Sequence, residues 1–174
     1  LNLDGSPKRD ANGKILETYS QKDVIEITRA LTGWNFVPNP TNLINNRNWA
    51  NYGKPMISDA SRHDTGSKSF LGKTIPAGQT VEQDLDSLLT ILVNHPNTAP
   101  FVSRRLIQSL VSSDPSPEYM TRVSLVFKES SGNLAKVVKS ILLDPEARAG
   151  DDPTKQIARV GKIKEPYLHF SNTM

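Results

Sequence analysis

Apolar residues recur at helical spacing through much of this chain, and the points where that spacing starts and stops carry the chemistry of helix ends. Ser20 precedes Gln21 to Leu31, in which Val24, Ile27, Ala30 and Leu31 repeat at helical intervals. Asp23 completes a capping box with Asp in place of Glu, and Thr32-Gly33 closes the segment. Thr80 and Gln83 form a second capping box ahead of the stripe Val81, Leu85, Leu88, Leu89 and Leu92, which stops before His95-Pro96. A third helix is expected from Asn97 or Thr98 to about Ser112. A fourth is expected from the cap Ser116, with Pro117 in the first turn, Glu118 where the dipole favours an anion, and a core face of Met120, Val123, Val126 and Phe127. Asn133 caps a fifth, with Leu134, Val137, Val138, Ile141 and Leu142, closed by Asp144-Pro145. Short connections from Thr80 onward predict antiparallel neighbours in a bundle-like packing. One helical turn at Pro145 to Ala149 and a weaker helix from Thr154 complete this part.

Two stretches lack the helical period. Residues 1–19 hold Asp4-Gly5, Pro7 and Asn12-Gly13, all turn chemistry, with apolar residues first at Ile15-Leu16, and read as an ordered arm. Residues 34–79 scatter Trp34, Phe36, Trp49, Tyr52 and Phe70 among Asn, Pro, Gly and Ser, with short strands expected at Trp34 to Val37, Lys54 to Ile57 and Ser69 to Ile75. So long an excursion is either functional or locally packed, and the tryptophans favour packing. The fold class expected is mainly α, a helical bundle-like domain with an irregular aromatic-rich excursion holding at most short β-strands. It forms a single domain fragment over 1–174: arm 1–19, helix 20–33, excursion 34–79, helical part 80–174.

Composition narrows the function classes. The 174 residues suit one domain with a core of its own. The net charge of +3 comes from interspersed charges of both signs, which favours solubility and argues against a nucleic-acid partner. Cysteine is absent, excluding disulfides. No apolar run reaches the roughly 20 residues a bilayer span needs. The chain opens on Leu1, without a signal pattern, and reads as a fragment or processed piece.

A series of short motifs runs in order along the chain. It begins with Tyr19-Ser20-Gln21-Lys22-Asp23-Val24 and Arg29-Ala30-Leu31-Thr32-Gly33-Trp34, then His63-Asp64 with Lys68 and Leu71-Gly72. It continues with His95-Pro96-Asn97-Thr98-Ala99-Pro100-Phe101, Arg105-Leu106, Pro115-Ser116-Pro117, Arg122-Val123, Leu142 to Arg148, Gly161-Lys162 and Glu165-Pro166. Together these resemble the bacterial family known as domain of unknown function 1800. The resemblance implies a piece from the C-terminal half of a longer protein, an extracytoplasmic place (periplasmic or secreted), and a protein partner from a neighbouring family that resembles sulfatases and phosphatases. It carries over no catalytic residue.

The most suggestive polar cluster is His63-Asp64 with Lys68, in the excursion where binding residues tend to collect. A histidine beside a carboxylate ligates metals or acts as a base, and a nearby lysine orients anions. The spacing matches no metal signature, so no metal and no cofactor are expected, and the preferred reading has His63 and Asp64 holding the excursion shut by bonds to its backbone. Gly66, Gly72 and Lys73-Thr74 fail the phosphate-loop pattern, which needs glycine where Ser67 stands; they read as turn glycines beside a short strand. His95 is expected as a cation at a helix C-terminus. Arg105 is expected either to cover Phe101, four residues earlier, or to pair with Asp144, Glu146 or Glu165. Asp144-Pro-Glu-Ala-Arg148 is expected to cap and to bridge helices, and His169 stands too near the end of the sequence to assign.

The function expected is that of a non-catalytic structural or interaction module of an exported bacterial protein, with the excursion as its contact surface. The alternative is an enzyme or ligand-binding site, a hydrolase or an anion or metal binder, centred on His63, Asp64 and Lys68 and completed by Arg105 or by residues outside this fragment. A concave pocket onto which these groups converge favours the alternative; their consumption in a closed loop favours the module.

Overall fold

A computed structural model of the chain describes residues 1–37, 53–152 and 154. The fold is mainly α: the described residues hold six helices and, for strands, only short two-stranded antiparallel sheets. The chain divides into two compact units, Glu17–Leu92 and the combination of Leu1–Leu16 with Val93–Met174. Trp49, Tyr52, the helix expected from Thr154, the motifs at 161–166 and His169 lie outside the described residues, apart from Thr154 itself.

In the unit Glu17–Leu92, helix α1 spans Gln21–Ala30. The capping box at its start is complete: Ser20 Oγ accepts from Asp23 N at 3.3 Å, and Asp23 Oδ2 accepts from Ser20 N at 2.6 Å. β1 (Trp34–Asn35) pairs antiparallel with β2 (Ile57–Ser58), matching Trp34 to Ser58 and Asn35 to Ile57. The span 69–75, expected as one strand, is a hairpin of β3 (Lys68–Phe70) and β4 (Lys73–Ile75). Its two-residue turn, Leu71-Gly72, takes φ of 50° and 70°, the left-handed pair that lets a tight hairpin follow the strand twist. Helix α2 covers Val81–Val93.

Phe70, Ile75, Leu88 and Ala30 form the core of this unit, with Ile27, Leu71, Ile91 and Leu92 against them. Here α1 differs from the expectation for its apolar face. Asp23, Glu26, Ile27 and Ala30 fall on one side of its wheel, and that side packs on β3: Leu71 N donates to Asp23 Oδ1 at 2.7 Å and Ser69 N to Glu26 Oε2 at 3.0 Å. The two carboxylates satisfy N–H groups on the outer edge of the hairpin, at Ser69 of β3 and Leu71 of the turn, that no further strand among the described residues reaches. Val24, Ile25 and Leu31 therefore lie away from that contact and remain exposed.

In the other unit, α3 (Thr98–Leu110), α4 (Pro117–Glu129) and α5 (Leu134–Leu143) pack pairwise, followed by the short α6 (Pro145–Arg148). Their core is Ala99, Ile107, Tyr119, Met120, Val123, Phe127, Val137 and Ile141. Of the helices expected from Thr80 onward in a bundle-like packing, α3, α4 and α5 share this core, whereas α2 places its buried Leu88 in the other cluster. The caps at Ser116 and Asn133 form as read, accepting from Tyr119 N and Lys136 N at 3.1 Å each. The arm is ordered turns with one bridge between Arg9 and Ile15, and Gly5 packs so closely that a Cβ there would lie 3.2 Å from Met120 Cε. No helix among the described residues is long and apolar enough to cross a membrane.

Candidate functional site

His63, Asp64 and Lys68 do come together, all within the unit Glu17–Leu92. A short 3₁₀ turn, Ala60–Arg62, capped by Asp59, delivers His63 at its C-terminal end. The chain crosses next to the C-terminus of α1, where Asp64 N donates to Thr32 Oγ1 at 2.8 Å and His63 Nδ1 lies 3.0 Å from Thr32 O. Gly33 permits this approach. Its φ of +85° is left-handed, and a Cβ there would meet Asp59 O and Val81 Cγ2 at 3.0 Å.

Asp64 faces Arg29, which reaches across from α1 in a bidentate pair: Nε to Oδ2 at 2.8 Å and Nη2 to Oδ1 at 3.1 Å. Gly66 N adds a donor to Oδ1 at 2.9 Å. The Arg29 guanidinium first, and then the Gly66 amide, hold the Asp64 carboxyl down at about 2. Arg29 also donates to Glu26 Oε2 at 2.9 Å and to the backbone oxygen of Ser67 at 3.2 Å, and the carboxylates of Asp64 first and then Glu26 raise its own pKa further.

Lys68 points the other way, into the unit. Its side chain is 1% exposed, and its Nζ donates to the backbone oxygens of Asp64 and of Gly66, the latter at 2.9 Å. The same ammonium lies 2.6 Å from Asp84 Oδ2, and His63 Nε2 lies 3.2 Å from that oxygen. Asp84 is fully buried, with its ion pairs off the line of ideal hydrogen bonds, and its Oδ1 meets no donor among the described residues.

Sequence reading passed over Asp84, the centre of this cluster. It sits in the first turn of α2, where an acid is ordinarily there for the dipole. The usable signal was its position on the apolar stripe: Val81, Asp84 and Leu88 share one helix face and all three are buried. An acid on a buried face calls for a cation, and Lys68 answers it.

The arrangement is a clamp. The side chains at its centre, His63, Lys68 and Asp84, are 1% exposed or less, so His63 Nε2 and Lys68 Nζ are shielded from solvent. Among the described residues, no group of three or more His, Asp or Glu side chains is placed to hold a metal ion.

Arg105 belongs to the other unit, on α3, where its guanidinium lies 5.7 Å from the Phe101 ring centroid, as one of its two expected arrangements had it. Of the three partners expected for it in the second arrangement, Asp144 is taken by Arg122, whose Nε and Nη2 meet it at 2.7 and 2.8 Å, and Glu165 lies outside the described residues. Asp144 also caps α6 through Glu146 N at 2.9 Å, and Glu146 accepts from Ser116 N at 2.9 Å and from the Ser116 hydroxyl. These carboxylates cap and tie helices. His95 departs from its expected role as a helix-end cation: burial first, then nearby cations, lowers its pKa, and its Nδ1 accepts from Asn97 N at 3.2 Å.

Residues 10–174 match the family described as "Protein of unknown function (DUF1800)", and the chain belongs to that family. Comparison with the curated proteins and with the solved structures finds no match.

Proposed function

We propose that this chain is a non-catalytic structural and interaction module, and that its polar motif residues build a rigid contact surface. The observation that carries this reading is the closure of the His63, Asp64 and Lys68 cluster. Each group is spent on Thr32, Arg29, Asp84 or loop backbone, so the cluster fastens the excursion to α1 and α2. Held there, the described parts of the excursion and α1 present exposed apolar side chains, Phe36, Met56 and Ile57 on one and Val24, Ile25 and Leu31 on the other. Scattered apolar exposure is ordinary; a set rigidly supported from beneath suits a protein partner. The family resemblance points to an extracytoplasmic partner of the sulfatase and phosphatase-like kind.

The competing reading, a ligand or catalytic site at His63, Asp64 and Lys68, draws on the buried polar atoms of the cluster that meet no hydrogen-bond partner among the described residues, His63 Nε2 and both carboxylate oxygens of Asp84. One experiment separates the two. The purified chain is titrated with the purified neighbouring phosphatase-like protein, and Ile25→Asp and Ile57→Asp are compared with His63→Gln. Micromolar association lost in the surface variants supports the module. Absence of association, or phosphatase or sulfatase turnover by the chain alone that His63→Gln abolishes, overturns it.

A further inference from the structure

The unit built from Leu1–Leu16 and Val93–Met174 contains a cavity of about 580 Å³. That volume is within the range of small-molecule sites, roughly 300–1,000 Å³. Its floor is apolar: Phe127 and Ala99, both core residues, with Val93 beside them. The floor is shaped by a glycine. Gly132, just past the end of α4, has φ of +78°, and a Cβ there would come within 3.2 Å of Val93 Cγ1 and 3.3 Å of Phe127 Cζ.

The rim has one sign of charge. Lys8 from the arm and Lys128 from α4 line the cavity with His95, and no acidic residue lines it. Neither lysine has an ion pair among the described residues, although carboxylates elsewhere in the chain are extensively paired. Because His95 Nδ1 accepts from Asn97 N, the neutral ring turns a donor, Nε2–H, to its other side. The ammonium groups of Lys8 and Lys128, both exposed, favour the approach of an anion to the edge of this apolar concavity.

We infer that this cavity binds a small amphiphilic carboxylate, with its aliphatic body on Phe127, Ala99 and Val93 and its carboxylate between Lys8 and Lys128. Decanoate is the probe, with 1-decanol and decyltrimethylammonium as neutral and cationic controls of equal chain length. Calorimetry and amide and methyl chemical shifts are recorded on the 174-residue chain. Saturable one-to-one binding of decanoate is expected, with shifts at Val93, Ala99 and Phe127, and weaker binding of both controls. The double variant Lys8→Gln/Lys128→Gln, with helical ellipticity unchanged, should lose about tenfold in affinity for decanoate and nothing for decanol. Val93→Trp, which fills the cavity from a partly exposed position, should abolish both. Absence of decanoate binding, equal affinity for the three amphiphiles, undiminished binding by the lysine variant, or shifts confined to Val24, Ile25 and Leu31 of α1 would each overturn the assignment.

Discussion

Lys68→Met tests the clamp most directly, because it keeps a side chain of similar length and removes only the ammonium. Lys68 is 1% exposed and Asp84 is 0% exposed, so the substitution leaves a carboxylate in the interior with a single cationic candidate, His63 at 3.2 Å. It also strips the backbone oxygens of Asp64 and Gly66 of their donor. Removing one partner of a buried ion pair costs roughly 3–5 kcal/mol. With His63 still facing Asp84, the lower end, about 3 kcal/mol, is expected. The double variant Lys68→Met/Asp84→Leu replaces the pair by apolar groups and should recover most of that loss, since a well-packed apolar substitute is commonly neutral or better. Both tryptophans, Trp34 and Trp49, belong to the segment Glu17–Leu92, so urea unfolding followed by tryptophan emission reports on the unit that holds the clamp. A loss below about 1 kcal/mol in the single variant, or a double variant no more stable than the single one, would refute the view of Lys68 and Asp84 as a mutually dependent buried pair.

Acid provides a second test. Asp64 and Asp23 both sit at about 2 in the folded chain, against an ordinary 3.8, so the stability they contribute is present above pH 3.8 and is lost as pH falls from there toward 2. Tryptophan emission across an acid titration should show this loss, and Asp64→Asn should flatten it; a transition centred near neutrality would contradict the assignment. Glycine substitutions form the third. Gly33→Ala combines a left-handed φ with contacts at 3.0 Å and should cost at least about 2 kcal/mol, whereas Gly72→Ala, with φ of +70° but open space around it, should cost about 1 kcal/mol. Equal urea midpoints for the two would show that the crossing under Gly33 is looser than described.

Much of the helical architecture is legible in the chain because helix ends are local. Ser20 with Asp23, Ser116 with Pro117, and Asn133 each act within three residues, and each cap forms. The hairpin was missed for an equally local reason: Leu71 supplies a left-handed φ usually left to Asn or Gly, so the turn was hidden inside a continuous strand pattern. Within the candidate site, His63, Asp64 and Lys68 are neighbours in sequence and were found, while Arg29 and Asp84 arrive from α1 and α2 and were not. Arg122 rather than Arg105 meets Asp144 for the same kind of reason, since either arginine is a reasonable partner until the helices are placed.

What the amino-acid order settled by itself is therefore the identity and start of the helices, the mainly α class, and membership of a family through motifs spread along the chain. What the tertiary structure decided is which side of each element faces inward and which charges meet. α1 shows the reason. Its wheel offers an apolar arc through Val24 and Leu31 and a mixed arc through Asp23, Glu26, Ile27 and Ala30, and transfer energies alone favour burying the first. The open edge of β3 reverses that choice, because its N–H groups need acceptors and only the mixed arc carries carboxylates to supply them.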